Sequence, residues 1–203
     1  MPTQYRRSMI ELLARHKVIP VVANRVQLQQ VLRTSPCKIV LLRHCNLLGL
    51  APLLVQASQR HYAVYVNIDH AEGVHADAAG LHYLADVLSV AGIISTNPKV
   101  LAMGKAHGLE TVLRIFAADS TGLESALEVF DPASVDLLDV SPALAIPHIA
   151  ADLQRLLPLP FIGSGLISTS EQISAVLDAG ALGVALSPDE LGSGLWSASS
   201  QMN

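Results

Sequence analysis

Residues 160–187 read PFIGSGLISTSEQISAVLDAGALGVALS, and this stretch decides the fold. Pro160–Gly163 is a short apolar run, and Gly183-Val184-Ala185-Leu186 is another. Between them Ser168–Ala179 has helical apolar spacing, and Gly180 stands where such a helix stops. Ser168-Thr169-Ser170-Glu171 offers an N-cap, with Glu171 three residues after Ser168. Run, helix and run make a β/α/β unit, and strands joined by a helical crossover are parallel. Neither run alternates polar and apolar residues, so both faces of each strand are buried.

The same rhythm extends back along the chain. Val18–Val22 precedes Arg25–Leu32, Ile39–Leu42 precedes Leu48–Gln59, and Ala63–Asn67 precedes His75–Asp86. Gly92–Ile94 then precedes Pro98–His107, Thr111–Ile115 precedes Ser120–Phe130, and Val135–Val140 precedes Ala143–Leu157. The last run, Gly183–Leu186, is followed by Pro188–Trp196. Eight β/α pairs predict an α/β fold, a compact (β/α)₈ TIM-type barrel. An open doubly wound sheet is the alternative, but no unit carries a dinucleotide fingerprint. Each unit averages about 22 residues, short for a fold that usually takes about 250. Residues 1–17 read as an extra N-terminal helix, with Ile10, Leu12 and Leu13 packing on the barrel. Gly92 and Gly108 read as helix stops. The whole of 1–203 is one domain: helix 1–17, barrel 18–196, tail 197–203.

Composition narrows the class. With 51% hydrophobic and 15% charged residues, the chain is not disordered. Two cysteines, Cys37 and Cys45, are too few for a disulfide scaffold. The most apolar run, Leu47–Val55, is broken by Gly49 and Pro52 and is far shorter than a membrane span. The N-terminus is charged and has no secretory apolar region. Together these predict a cytoplasmic protein. The net charge of −4 hides an asymmetry: residues 1–68 hold nine basic residues and one acid, and the remainder four basic and sixteen acidic. Such a split points to an anionic partner, to self-association, or to nothing more than solvated helix faces.

In barrels the site lies where the strands end at their C-termini. That places Asn24, Arg43, His44, Asn67, Asp69, His70, Arg114, Asp139, Ser164, Gly165 and Ser187 at the mouth. Gly163-Ser164-Gly165 follows strand seven and Ser187 follows strand eight, the two loops that hold phosphate in phosphate-binding barrels. Arg114 either holds an anion or hydroxyl or makes an ion pair with Asp139 that only fixes the barrel. Asp69-His70-Ala71-Glu72-Gly73-Val74-His75-Ala76-Asp77 has no established zinc pattern and reads as a solvated loop. Cys45 reads as a small buried hydrophobe. None of the four lysines ends a strand, which disfavours Schiff-base chemistry. No metal or cofactor is called for.

These segments resemble the glycerol-3-phosphate-responsive antiterminator family. The resemblance is carried by Ile19-Pro20-Val21-Val22 with Asn24, Gly92-Ile93-Ile94-Ser95-Thr96, Leu113-Arg114-Ile115-Phe116, Asp139-Val140-Ser141-Pro142, Ser164-Gly165-Leu166-Ile167 and Ala179-Gly180-Ala181. It implies a small barrel that binds glycerol-3-phosphate or a similar phosphorylated polyol, and that acts on leader mRNA. It also implies that Ser164, Gly165 and Ser187 hold the phosphate beside Arg114. The chain departs from the family at Ala23, Asn67, Ser164 and the Leu186-Ser187-Pro188 ending. Asn24, Asn67, Asp69 and Asp139 are expected as polar ligand contacts. No RNA-recognition motif is visible, so RNA contacts fall to the basic N-terminal third: Arg6, Arg7, Arg15 and Lys17. A homodimer is a further expectation. The competing reading is a phosphopolyol isomerase or lyase with Asp69 or Asp139 as base.

Overall fold

The computed structural model describes residues 8–117, 131–156 and 159–187. The predicted helices Ser120–Phe130 and Pro188–Trp196, the residues Arg6 and Arg7, and the tail lie outside them. Eight strands close into one parallel barrel in sequence order. They are β1 Val18–Val22, β2 Ile39–Leu42, β3 Ala63–Asn67, β4 Gly92–Ser95, β5 Glu110–Phe116, β6 Leu137–Ser141, β7 Phe161–Ser164 and β8 Val184–Leu186. Closure comes from β1 against β8, with Val18 beside Val184. Pro20 lies in the middle of β1 and carries no ladder N–H.

The helices are α1 Met9–Leu13, α2 Arg25–Thr34, α3 Leu47–Gln59, α4 Ala78–His82, α5 Pro98–Ala106, α6 Ile146–Leu156 and α7 Ser170–Asp178. Polar side chains set their starts. Asn24, Asn46, Asp77 and Asn97 each accept a backbone N–H in the first turn of α2, α3, α4 and α5. Asp77 moves the start of α4 past the predicted His75, and its last residues open into a π-helical turn, Tyr83–Val87. The capping box of α7 is Thr169 with Gln172, one residue beyond the predicted Ser168 with Glu171.

The strands divide the apolar residues into two clusters. One lies between strands and helices, and the other fills the barrel. Ile19, Ile39, Leu41, Tyr65, Ile94, Val112, Leu137, Ile162 and Ala185 belong to the inner cluster. Strand periodicity then fixes which residues above them face inward.

The foot of the barrel is closed by α1. Met9 and Leu13 are fully buried there, whereas Ile10 is 42% exposed, so the predicted packing role of Ile10 passes to Met9. The Met9 amide donates to Glu110 at 3.1 and 3.0 Å, and the Tyr65 hydroxyl donates to the same carboxylate. Gly92 is not a helix stop. It starts β4, and a Cβ there would run into the Glu110 carbonyl oxygen and sit 2.6 Å from the Tyr65 ring.

Burial pushes the Glu110 carboxyl above its ordinary 4.5, against the opposing Tyr65 and Met9 hydrogen bonds. A carboxyl with a raised folded pKa binds more protons in the native state over that interval. Its contribution to stability is complete below pH 4.5 and is lost as pH rises through the folded value. Glu110→Gln keeps an acceptor and cannot ionise. Urea unfolding between about pH 4 and pH 7 should therefore show the wild type losing stability relative to Glu110→Gln as pH rises. A pH-independent difference would rule out this linkage.

Candidate functional site

The inner wall turns polar at the mouth. Asn67 lies two residues after Tyr65, Arg114 two after Val112, Asp139 two after Leu137, and Ser164 two after Ile162. By alternation all four side chains face the barrel interior. Ser187, two residues after Ala185, is half-buried just beyond β8.

Arg114 and Asp139 stand directly opposite each other on β5 and β6. Arg114 Nε and Nη2 donate to Asp139 Oδ2 at 2.8 and 2.6 Å. The aspartate side chain is fully buried and the arginine side chain 10% exposed. This pairing positions the guanidinium whatever else it holds. The other oxygen, Asp139 Oδ1, accepts no hydrogen bond, and neither Asn67 Oδ1 nor Ser164 Oγ has a partner. These are the three unpartnered buried side-chain polar atoms among the described residues. Native proteins leave few such groups, because each costs about 1–3 kcal/mol. Two acceptors and a serine hydroxyl on one inner wall suit a ligand with several hydroxyl or anionic oxygens.

The predicted glycine loop divides between two roles. Gly163 is a correction. Its N–H donates to the Gly183 carbonyl at 3.0 Å, so it is not offered to a phosphate. A Cβ at Gly163 would meet Ile146 at 2.8 Å and Ala143 at 3.0 Å, so this glycine serves close packing of helix on strand. Gly165 differs: it has φ +86° and faces Ser141. Leu166 follows with φ +63° and is 66% exposed. A left-handed leucine is uncommon, and such strain clusters at functional loops.

Asn24 is exposed, and its Oδ1 accepts the Gln27 amide at 3.0 Å. Asp69 is also committed. It accepts Ser95 Oγ at 2.5 Å, the Thr96 amide at 2.7 Å and Thr96 Oγ1 at 2.9 Å, tying the β3 loop to the β4 loop. Arg15 and Lys17 lie at the foot, away from the mouth.

One rim feature escapes a reading of the sequence. His44 and His70 stack with ring centroids 4.5 Å apart. His44 has φ +50°, a backbone conformation invisible in the sequence. Desolvation lowers its pKa, and the charges of His70, Arg43 and Arg114 lower it further. The neutral imidazole of His44 is therefore favoured at this rim. Each predicted polar residue following β2 and β3 was a signal, but the contact between the two loops was not. That contact is made by Asn46 and Glu72, with the Leu47 amide on the Glu72 carbonyl at 3.0 Å.

Burial raises the thiols of Cys37 and Cys45 to about 11, as expected for inert cysteines. Among the described residues no group of three metal-ligating side chains occurs, and no helix is long and apolar enough to cross a membrane.

Known proteins share this architecture. A glycerol uptake operon antiterminator regulatory protein from Listeria monocytogenes superposes with a TM-score of 0.78 at 22% identity, covering 97% of this chain and 98% of that one. A glycerol uptake operon antiterminator-related protein from Thermotoga maritima gives 0.74 at 23% identity, with 90% and 98% covered. In sequence, an uncharacterized Escherichia coli protein, YgcP, is 23% identical over 184 residues, spanning 91% of this chain and 94% of that protein. The family model described as glycerol-3-phosphate responsive antiterminator matches residues 18–192, from the first strand to beyond the last. On that match the chain belongs to the glycerol-3-phosphate responsive antiterminator family.

Proposed function

We propose that this barrel senses glycerol-3-phosphate, or a close phosphorylated polyol, in its mouth and acts on leader mRNA as an antiterminator. The observation that carries the ligand reading is the set of unpartnered buried atoms Asn67 Oδ1, Asp139 Oδ1 and Ser164 Oγ at the strand ends, with Arg114 held on Asp139. A polyol donates hydroxyl hydrogens to the Asn67 and Asp139 oxygens. The phosphate takes Ser164, Gly165 and Ser187, on β7 next to β6 and just beyond β8, with the Arg114 guanidinium to offset its charge. Asn67 is neutral and so receives a hydroxyl without adding negative charge beside a phosphate. The RNA reading rests on family membership and on the basic N-terminal third of the chain.

Thermal unfolding with and without glycerol-3-phosphate tests the ligand. At a hundred times Kd, native-state binding adds about 2.7 kcal/mol. For a chain of this size that raises Tm by about 5–10 °C. Inorganic phosphate should give less, and glycerol alone nothing. Phosphorus NMR of the same sample should show glycerol-3-phosphate unchanged. Its consumption would favour an isomerase or lyase, and no shift in Tm would sink the mouth as the sensor.

A further inference from the structure

Three neighbouring loops at the foot carry a basic surface that the ligand site does not use. Arg15 and Lys17 lie between α1 and β1, Arg33 is in the last turn of α2, Lys38 precedes β2, and Arg60 ends α3. Strands β1, β2 and β3 are adjacent in the barrel, so these loops are side by side, with strand starts about 5 Å apart. Arg15, Arg33, Lys38 and Arg60 are exposed, and Lys17 is half-buried.

Among the described residues no ion pair neutralises them. No aspartate or glutamate occurs between Glu11 and Asp69. The ion pairs among the described residues are His82–Asp86, Lys105–Asp136, Arg114–Asp139 and Arg155–Asp152, and none uses these five cations. The Lys38 ammonium lies 4.1 Å above the centre of the Tyr62 ring. Tyr62 is buried and its hydroxyl donates to the Ser35 carbonyl at 3.1 Å, so the ring that holds Lys38 is itself fixed. Elsewhere at the foot the charge balance differs: Lys105 is paired, and Asp131 and Asp178 add acid.

We propose that this face docks RNA, holding its phosphate backbone by charge without reading bases. The proposal rests on the regulatory reading above and assigns it a surface. An RNA backbone fits because the cations are spread along an arc and are not gathered into one pocket. Tyr62 offers no base-stacking face, since its ring is buried under Lys38. A membrane surface would need an apolar anchor. The four most exposed large apolar side chains among the described residues, Val26, Leu166, Leu48 and Phe116, lie instead at the mouth end, and α1 at the foot exposes a single one, Ile10. Strands β1, β2 and β3, of four to five residues, place foot and mouth about 15 Å apart, so RNA and phosphopolyol occupy separate surfaces.

Anisotropy of a fluorescein-labelled oligouridylate of about twenty nucleotides, titrated with the full chain at several KCl concentrations, tests this. Five contacts to single-stranded RNA predict a log–log salt slope of about −3.5. The foot variant Arg33→Gln/Lys38→Gln/Arg60→Gln should bind at least tenfold more weakly, with a slope of about −1.4. A control variant, Arg25→Gln/Lys99→Gln/Arg155→Gln, loses the same charge elsewhere and should stay within twofold of wild type. Equal losses in both variants, or none in the foot variant, would overturn the assignment. So would an absence of wild-type binding at about 50 mM KCl, or binding to anionic phosphatidylserine vesicles in its place. Glycerol-3-phosphate should still raise Tm in the foot variant. If RNA binding is wild-type there and the Tm shift persists, only the foot assignment fails. If no form binds RNA yet the shift persists, the RNA half of the regulatory reading fails with it.

Discussion

Arg114→Met is expected to cost about 3–5 kcal/mol of folding stability, because it leaves a buried carboxylate without its cation. The Asp139 side chain is fully buried, and among the described residues its carboxylate accepts hydrogen bonds from the two Arg114 donors alone. Set against a typical total of about 5–15 kcal/mol, such a loss brings the barrel close to unfolding. The double variant Arg114→Met/Asp139→Leu separates stability from binding. Apolar replacement of a whole buried pair is often neutral or stabilising, so its urea midpoint should return most of the way to wild type. Its response to glycerol-3-phosphate should nevertheless be absent, since both the cation and the Asp139 acceptor are gone. A single variant as stable as wild type would show that the pair carries no such cost. A double variant that still gains Tm with ligand would remove Arg114 and Asp139 from the binding site.

Gly92→Ala should be the second large effect, at about 3 kcal/mol, the upper end of overpacking costs. The new methyl would run into the Glu110 carbonyl oxygen and meet Tyr65 Cε1 at 2.6 Å. Neither can move away: the carbonyl belongs to the sheet, and the ring is tied to Glu110 through its hydroxyl. Calorimetry should show Tm lowered by about 6–12 °C. Gly108→Ala is the matched comparison. Gly108 has φ +74°, but no atom lies within 4 Å of where its methyl would stand. Only the left-handed backbone then costs, about 1–2 kcal/mol. If both variants lose the same stability, close approach is not what selects glycine at residue 92.

The strands were legible because doubly buried parallel strands are continuous apolar runs, as in Ile39–Leu42 and Ala63–Asn67. Glu110 was missed at the edge of β5 because a charged residue next to Leu109 reads as loop. Its burial depends on Met9, 101 residues away, and no local pattern encodes that. Among the mouth residues, Arg114 facing Asp139 was readable, since each sits near the end of a neighbouring strand. Which glycine packs and which turns was not. Gly163 and Gly165 are chemically identical in the sequence, and only the helix behind β7 and the sign of φ distinguish them. Asp69 followed the same logic: its position at the mouth was foreseen, but not that Ser95 and Thr96 occupy its oxygens.

Closure of β1 on β8 has a consequence during synthesis. Val184, which pairs with Val18 to close the barrel, lies 166 residues later in the chain. At about 5–20 residues per second, a ribosome needs roughly 8–33 s to supply it. Throughout that wait β1 is an open edge that another nascent chain could extend. Pro20 does not blunt that edge: the Lys17 carbonyl meets β8 and the Val22 carbonyl meets β2, so residue 20, in step with Val22, turns its backbone to β2. Ile19 and Val21 face the open side, and their N–H groups wait there for the eighth strand to claim them.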